Sequence, residues 1–158
     1  DIRDRFTCLF FFLRIRRPPS LTQSRSSAAS DVYKRQAWGL HICCEVPWCP
    51  VQSASPDVLS FDLTVEELDD EAVASLNSLV ESGTRIAWGI IRPDSRDGIR
   101  EGTERLEEAL AKVPAAESGS MLTAACGSGM VSPEREVGIA MALRSISHSL
   151  RDRAAQSA

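Results

Sequence analysis

Four short and almost unbroken apolar runs punctuate the chain, and amphipathic stretches separate them. The runs are Gly39-Leu40-His41-Ile42-Cys43-Cys44, Asp57-Val58-Leu59-Ser60-Phe61-Asp62, Arg85-Ile86-Ala87-Trp88-Gly89-Ile90-Ile91 and Met121-Leu122-Thr123-Ala124-Ala125-Cys126. Their length and apolar continuity predict strands buried on both faces. Between the second and third runs, Thr64-Val65-Glu66-Glu67 has the form of a capping box. Ala72, Val73, Leu76, Leu79 and Val80 then fall on one helical stripe, and Gly83 supplies a stop. A second helix is predicted from Glu101 to Val113, with Leu106, Ala109, Leu110 and Val113 inward and Pro114 ending it. Ser132-Pro133-Glu134 pairs an N-cap with proline at the first helical position. The last helix then turns Val137, Ala140, Met141, Leu143 and Ile146 inward. Strands alternating with helices imply β-α units and a parallel sheet. Four such units make half of an eight-stranded barrel or part of an open sheet. No glycine-rich phosphate loop follows the first run, which argues against a nucleotide-binding open sheet.

The first 36 residues stand apart from this pattern. Residues 26–36, SSAASDVYKRQ, back-translate codon for codon into what looks like a tagmentation sequencing adapter, and Ile15-Arg16-Arg17-Pro18-Pro19 resembles its flow-cell end. Residues 1–36 are therefore expected to be a non-native, disordered segment outside the fold, with residues 37–158 forming the domain. The apolar run Phe6–Leu13 is too short for a membrane span, and arginines follow it where a signal peptide has a small-residue cleavage site.

Setting that segment aside changes the charge. The whole chain holds 18 Lys and Arg against 22 Asp and Glu. The first 36 residues contain 8 and 3 of these, which leaves 10 against 19 and a net charge of −9. So acidic a domain argues against a nucleic-acid partner, because such binding neutralises phosphates with Lys and Arg. No remaining apolar run is long enough for a membrane helix, and a cytoplasmic location is expected. Cys43, Cys44, Cys49 and Cys126 remain. Without a secretion signal they read as metal or catalytic chemistry before a disulfide framework.

Candidate chemistry collects at the strand ends. Residues i and i+2 of a strand share a face, so His41 and Cys43 point one way and Cys44 the other. Asp62 ends the second run and Cys126 the fourth. The C-terminal edge of a parallel sheet is where barrels and open sheets place their chemistry. One imidazole, two thiolates and one carboxylate suit Zn²⁺. Such a site, with net charge −1, is a weak Lewis acid for hydrolysis but still ionises an incoming thiol and leaves it nucleophilic, which favours alkyl transfer to sulfur. Cys44 and Cys49 read as packing residues, Trp48 and Trp88 as core or wall, and His148 as surface. The Glu66-Glu67-Asp69-Asp70-Glu71 run reads as a solvated helix start, and Asp94 and Asp97 as loop carboxylates.

Taken in order, residues 39–48, 57–62, 87–91 and 123–127 resemble the C-terminal catalytic barrel of cobalamin-independent methionine synthase, most closely its shorter, core-only bacterial relatives. The resemblance covers nearly all of residues 37–158. It implies an α/β fold, the last four β-α units of a (β/α)₈ TIM barrel, with zinc ligands His41, Cys43 and Cys126. The family's acidic ligand, usually Glu, falls on Asp62, one methylene shorter. The family usually has Pro-Asp or Pro-Ala before the last cysteine, where this chain has Ala124-Ala125. The implied reaction is zinc-dependent methyl transfer to the thiol of homocysteine, from a folate or a simpler methyl donor, a corrinoid donor belonging to the alternative enzyme. The alternatives are a related zinc alkyltransferase acting on coenzyme M, the metal-free barrel of uroporphyrinogen decarboxylase, and a non-catalytic truncated barrel. As half a barrel, the piece itself is expected to be inactive.

Overall fold

A computed structural model describes residues 11–16, 36–95 and 98–156. Asp97 and most of the adapter-like segment lie outside the described residues. Five strands form one sheet in the order β1-β2-β3-β4-β5: Phe11–Arg16, Gln36–Ile42, Val58–Asp62, Arg85–Ile91 and Met121–Ala124. Strands β2 to β5 are mutually parallel, and β1 runs antiparallel to β2. Strand β1 corrects the sequence expectation, which left residues 1–36 wholly outside the fold. Composition is blind to pairing: Leu13-Arg14-Ile15-Arg16 alternates apolar and basic residues, the period of a strand, and β2 offers it an open edge.

Helices α1 (Trp48–Ala54), α2 (Asp70–Glu81) and α3 (Gly98–Lys112) connect the parallel strands, and α4 (Pro133–Gln156) follows β5. The sequence pattern missed α1, whose seven residues include Pro50. A proline costs little in a first helical turn, where its missing N–H has no partner to lose. Neighbouring strands follow one another without the order reversal of a doubly wound sheet. This mixed α/β architecture, four parallel strands alternating with helices, is consistent with half of a β/α barrel.

Register separates two chemically different faces, since residues paired across strands share a face. His41 pairs Ser60, Ser60 pairs Ala87, and Ala87 pairs Met121; Asp62 pairs Gly89, and Gly89 pairs Thr123. This face is small and polar. On the other, Ile42 pairs Phe61, Phe61 pairs Trp88, and Trp88 pairs Leu122. Those bulky residues join Leu76, Leu79, Leu106 and Ala109 of the helices in one core. Phe61 and Trp88 meet edge to face with centroids 5.5 Å apart. Helix α3 approaches β4 so closely that a Cβ on Gly102 would lie 1.7 Å from the Ile90 carbonyl oxygen.

Helix boundaries depart from the pattern in two places. The Thr64–Glu67 box caps nothing. Helix α2 starts six residues later, where the Asp69 carboxylate accepts from the Ala72 N–H at 2.8 Å. Replacing Asp69 with Ala should lower the unfolding free energy by about 1 kcal/mol, read by chemical denaturation. In α4 the stripe is rotated. Ile139 is buried and Ala142, Leu143, Ile146 and Leu150 pack on the core, while Val137 and Met141 are 58% and 68% exposed. Among the described residues no helix is long and apolar enough to cross a membrane.

Candidate functional site

The small, polar face carries its functional groups at the C-terminal ends of the strands. His41 is the penultimate residue of β2, and Cys43 follows the strand by one. Asp62 ends β3, and Cys126 lies two residues beyond β5. The structure brings His41, Cys43 and Cys126 into contact. His41 Nε2 lies 3.0 Å from Cys43 Sγ, and Cys43 Sγ lies 3.4 Å from Cys126 Sγ. Strands β2 and β5 are three spacings apart, which on a flat sheet amounts to about 14 Å. The two sulfurs can touch only because the sheet curls around this face.

Ser60, on the same face of β3, lies 2.9 Å from His41 Nδ1 through its Oγ. With Nδ1–H donating to Ser60, Nε2 is left as the acceptor facing Cys43, the tautomer that a metal ligand at Nε2 requires. Burial lowers the His41 pKa, and the charge of Asp62 opposes part of that effect. Burial also pushes the Cys43 thiol up to about 11, with the Cys126 hydrogen bond and the charges of Cys126 and Asp62 adding to it. Negative charge is thus costly to gather here without a cation to offset it.

Asp62 is buried, at 5% exposure. Its Oδ1 accepts from the Thr64 N–H and Oγ1–H, at 2.8 and 2.6 Å. Gly89 keeps the strand ends this close: a Cβ there would lie 2.5 Å from the Phe61 carbonyl oxygen and 2.9 Å from the Ala125 Cα.

Whether zinc fits can be judged from these distances. The donor types are right. As they stand, however, no three His, Cys, Asp or Glu side chains among the described residues form a group able to hold a metal ion. The two contacts both fall on Cys43, at 3.0 Å to His41 and 3.4 Å to Cys126. Tetrahedral zinc with ordinary bond lengths spaces two sulfurs by about 3.8 Å and a sulfur and nitrogen by about 3.6 Å. Each of the two contacts would have to lengthen by about half an ångström, and Gly127 follows Cys126 in the exposed loop where that change would fall.

Other expectations fall out differently. Cys49 is exposed rather than packed, and Cys43, Cys49 and Cys126 are free thiols. Cys44 packs against the core and is disulfide-bonded. Glu66, expected to be solvated, is 6% exposed and accepts from the Val46 N–H at 2.8 Å and the Trp48 Nε1–H at 3.1 Å. Trp48 and Trp88 are core residues and His148 is exposed, as expected. Asp94 is exposed and paired with Arg92, Nε to Oδ1 at 3.3 Å. Arg135 holds the loop after β4 by donating to the carbonyls of Pro93 and Ser95.

The sequence reading missed Ser60, although it shares with Asp62 the two-residue spacing that singled out His41 and Cys43. It also missed Gly89, whose signal is a glycine inside an otherwise bulky strand.

No family model, curated protein or solved structure matches this chain.

Proposed function

We propose that residues 37–158 form the zinc-bearing half of a (β/α)₈ barrel that methylates the thiol of homocysteine, in the manner of cobalamin-independent methionine synthase. His41, Cys43 and Cys126 would hold the metal, with Asp62 as the acidic ligand. The observation that carries this reading is the meeting of Cys43 and Cys126 at 3.4 Å from strands three spacings apart, with His41 Nε2 3.0 Å from Cys43 Sγ.

Zinc bound there would supply the positive charge that ionises a substrate thiol without quenching its nucleophilicity. The chain's own residues shape the site. Ser60 fixes the His41 ring with Nε2 toward the sulfurs. Thr64 holds Asp62 by Oδ1. Gly89 leaves room for the strand ends to converge. The Ala125 N–H bonds to the Ile91 carbonyl at 2.9 Å, which places Cys126 at the rim.

Metal analysis tests the ligand set. One zinc per chain is expected, and Cys126→Ser should weaken zinc binding by more than about 100-fold, since even loss of an outer-shell partner costs 10–100-fold. Cys49→Ser should leave it unchanged. Full zinc retention by Cys126→Ser would sink the assignment. Homocysteine, but not coenzyme M, should protect Cys43 and Cys126 of the zinc-loaded protein from alkylation. Protection by coenzyme M alone would replace homocysteine as the acceptor.

A further inference from the structure

The two sulfurs that meet at the strand ends have a second chemistry, independent of any metal. Cys43 and Cys126 are both free, 83 residues apart in sequence and 3.4 Å apart in space. A disulfide needs its sulfurs at about 2.05 Å, so the pair must close by little more than one ångström. The surroundings permit this on one side. Cys126 is exposed and followed by Gly127-Ser128-Gly129, and a Cβ on either glycine would meet nothing within 4 Å. Cys43 is held between His41 and Cys126 on the firmer side. The other free thiol among the described residues, Cys49, is exposed on α1.

We propose that Cys43 and Cys126 form a dithiol site that exchanges with small-molecule disulfides to give an intramolecular disulfide joining the ends of β2 and β5. Exposure assigns the roles. The Cys126 thiolate attacks one sulfur of a disulfide RSSR, forming a Cys126–S–S–R bond and releasing RS⁻. The Cys43 sulfur then attacks the Cys126 sulfur, breaks the bond to R, and releases the second RS⁻. The protons lost by the two cysteines end on the two RSH products. The protein gives up two electrons and RSSR accepts them, so the exchange balances without any other oxidant. The bond would staple the first and last parallel strands, whose ends the intervening β3 and β4 already hold near each other.

The test uses the metal-free chain incubated with oxidised glutathione, followed by intact-mass analysis and peptide mapping without reduction. The expected product has lost two hydrogens and yields a cross-linked peptide pair containing Cys43 and Cys126. In Cys43→Ser the reaction should stop at a glutathione adduct on Cys126, while Cys49→Ser should cross-link like the parent. A stable adduct on Cys126 in the unsubstituted chain, or a cross-link through Cys49, would overturn the proposal. Preloading with zinc separates this inference from the proposed function. If zinc binds these sulfurs, the cross-link should form at least about tenfold more slowly, since the metal-bound thiolates are withdrawn from exchange. Cross-linking unaffected by zinc would remove the zinc reading and leave the dithiol site standing.

Discussion

Gly102→Ala is expected to destabilise the fold by about 3 kcal/mol or more, while Gly138→Ala, in another helix of the same protein, should stabilise it by up to about 1 kcal/mol. The added methyl group is the same and the surroundings differ. At Gly102 it would lie 1.7 Å from the Ile90 carbonyl oxygen and 2.7 Å from the carbonyl carbon. Both are backbone atoms of Ile90, which is fully buried, so no side chain can swing aside. Helix α3 would have to lift off β4, opening the contacts that Leu106 and Ala109 make with the core. Overpacking usually costs about 1–3 kcal/mol, and the rigidity of the partner puts Gly102 at the upper end. At Gly138 the methyl group meets nothing within 4 Å, so what remains is the helix preference of Ala over Gly, about 0.8–1.0 kcal/mol. Denaturant unfolding of the two variants reads both signs. Equal effects would mean that α3 does not sit this tightly on the sheet.

The second large effect belongs to Glu66. Its carboxylate accepts two buried donors, the Val46 N–H and the Trp48 Nε1–H, from the segment that leads into α1. Glu66→Ala leaves both without a partner, at about 1–3 kcal/mol each, so a loss of about 2–6 kcal/mol is expected. A pH titration should show the charge as well. Burial raises the Glu66 pKa, the Val46 and Trp48 hydrogen bonds oppose this in part, and the charges of Glu45 and Asp69 add to it. The folded state therefore binds this proton more tightly than the unfolded state does. The stability it contributes is fully present below the ordinary carboxylate pKa and is lost as pH rises through the raised one. Glu66→Gln keeps one acceptor and cannot titrate, so it should flatten this part of the stability curve. An unchanged slope in Glu66→Gln would show that another group sets it.

Legibility followed the range of the interactions. The four parallel strands could be read because burial on both faces leaves continuous apolar runs, and α2 and α3 because their stripes are unambiguous. The α4 stripe was misread because Val137, Ile139, Met141 and Leu143 alternate, offering two overlapping inward faces. Only the core decides between them, and it takes Ile139 and Ala142. Glu66 could not be told from the acidic residues around it, since the two donors that select it lie 18 and 20 residues away. His41 and Cys43 were readable from strand alternation. That Cys126 shares their sheet edge was readable from the strand pattern, but its contact with Cys43 depends on the curvature of a whole sheet rather than on any local pattern.

Strand β1 carries a topological consequence. Each edge of a strand accepts one partner, and the outer edge of β2 is occupied from Gln36, paired with Arg16, to His41, paired with Phe11. A closed parallel barrel needs that same edge for a strand running the other way. The antiparallel strand and barrel closure are therefore mutually exclusive states of one edge. In this chain Phe11–Arg16 occupies that edge, and a ring of β-α units could close through β2 only with Phe11–Arg16 displaced.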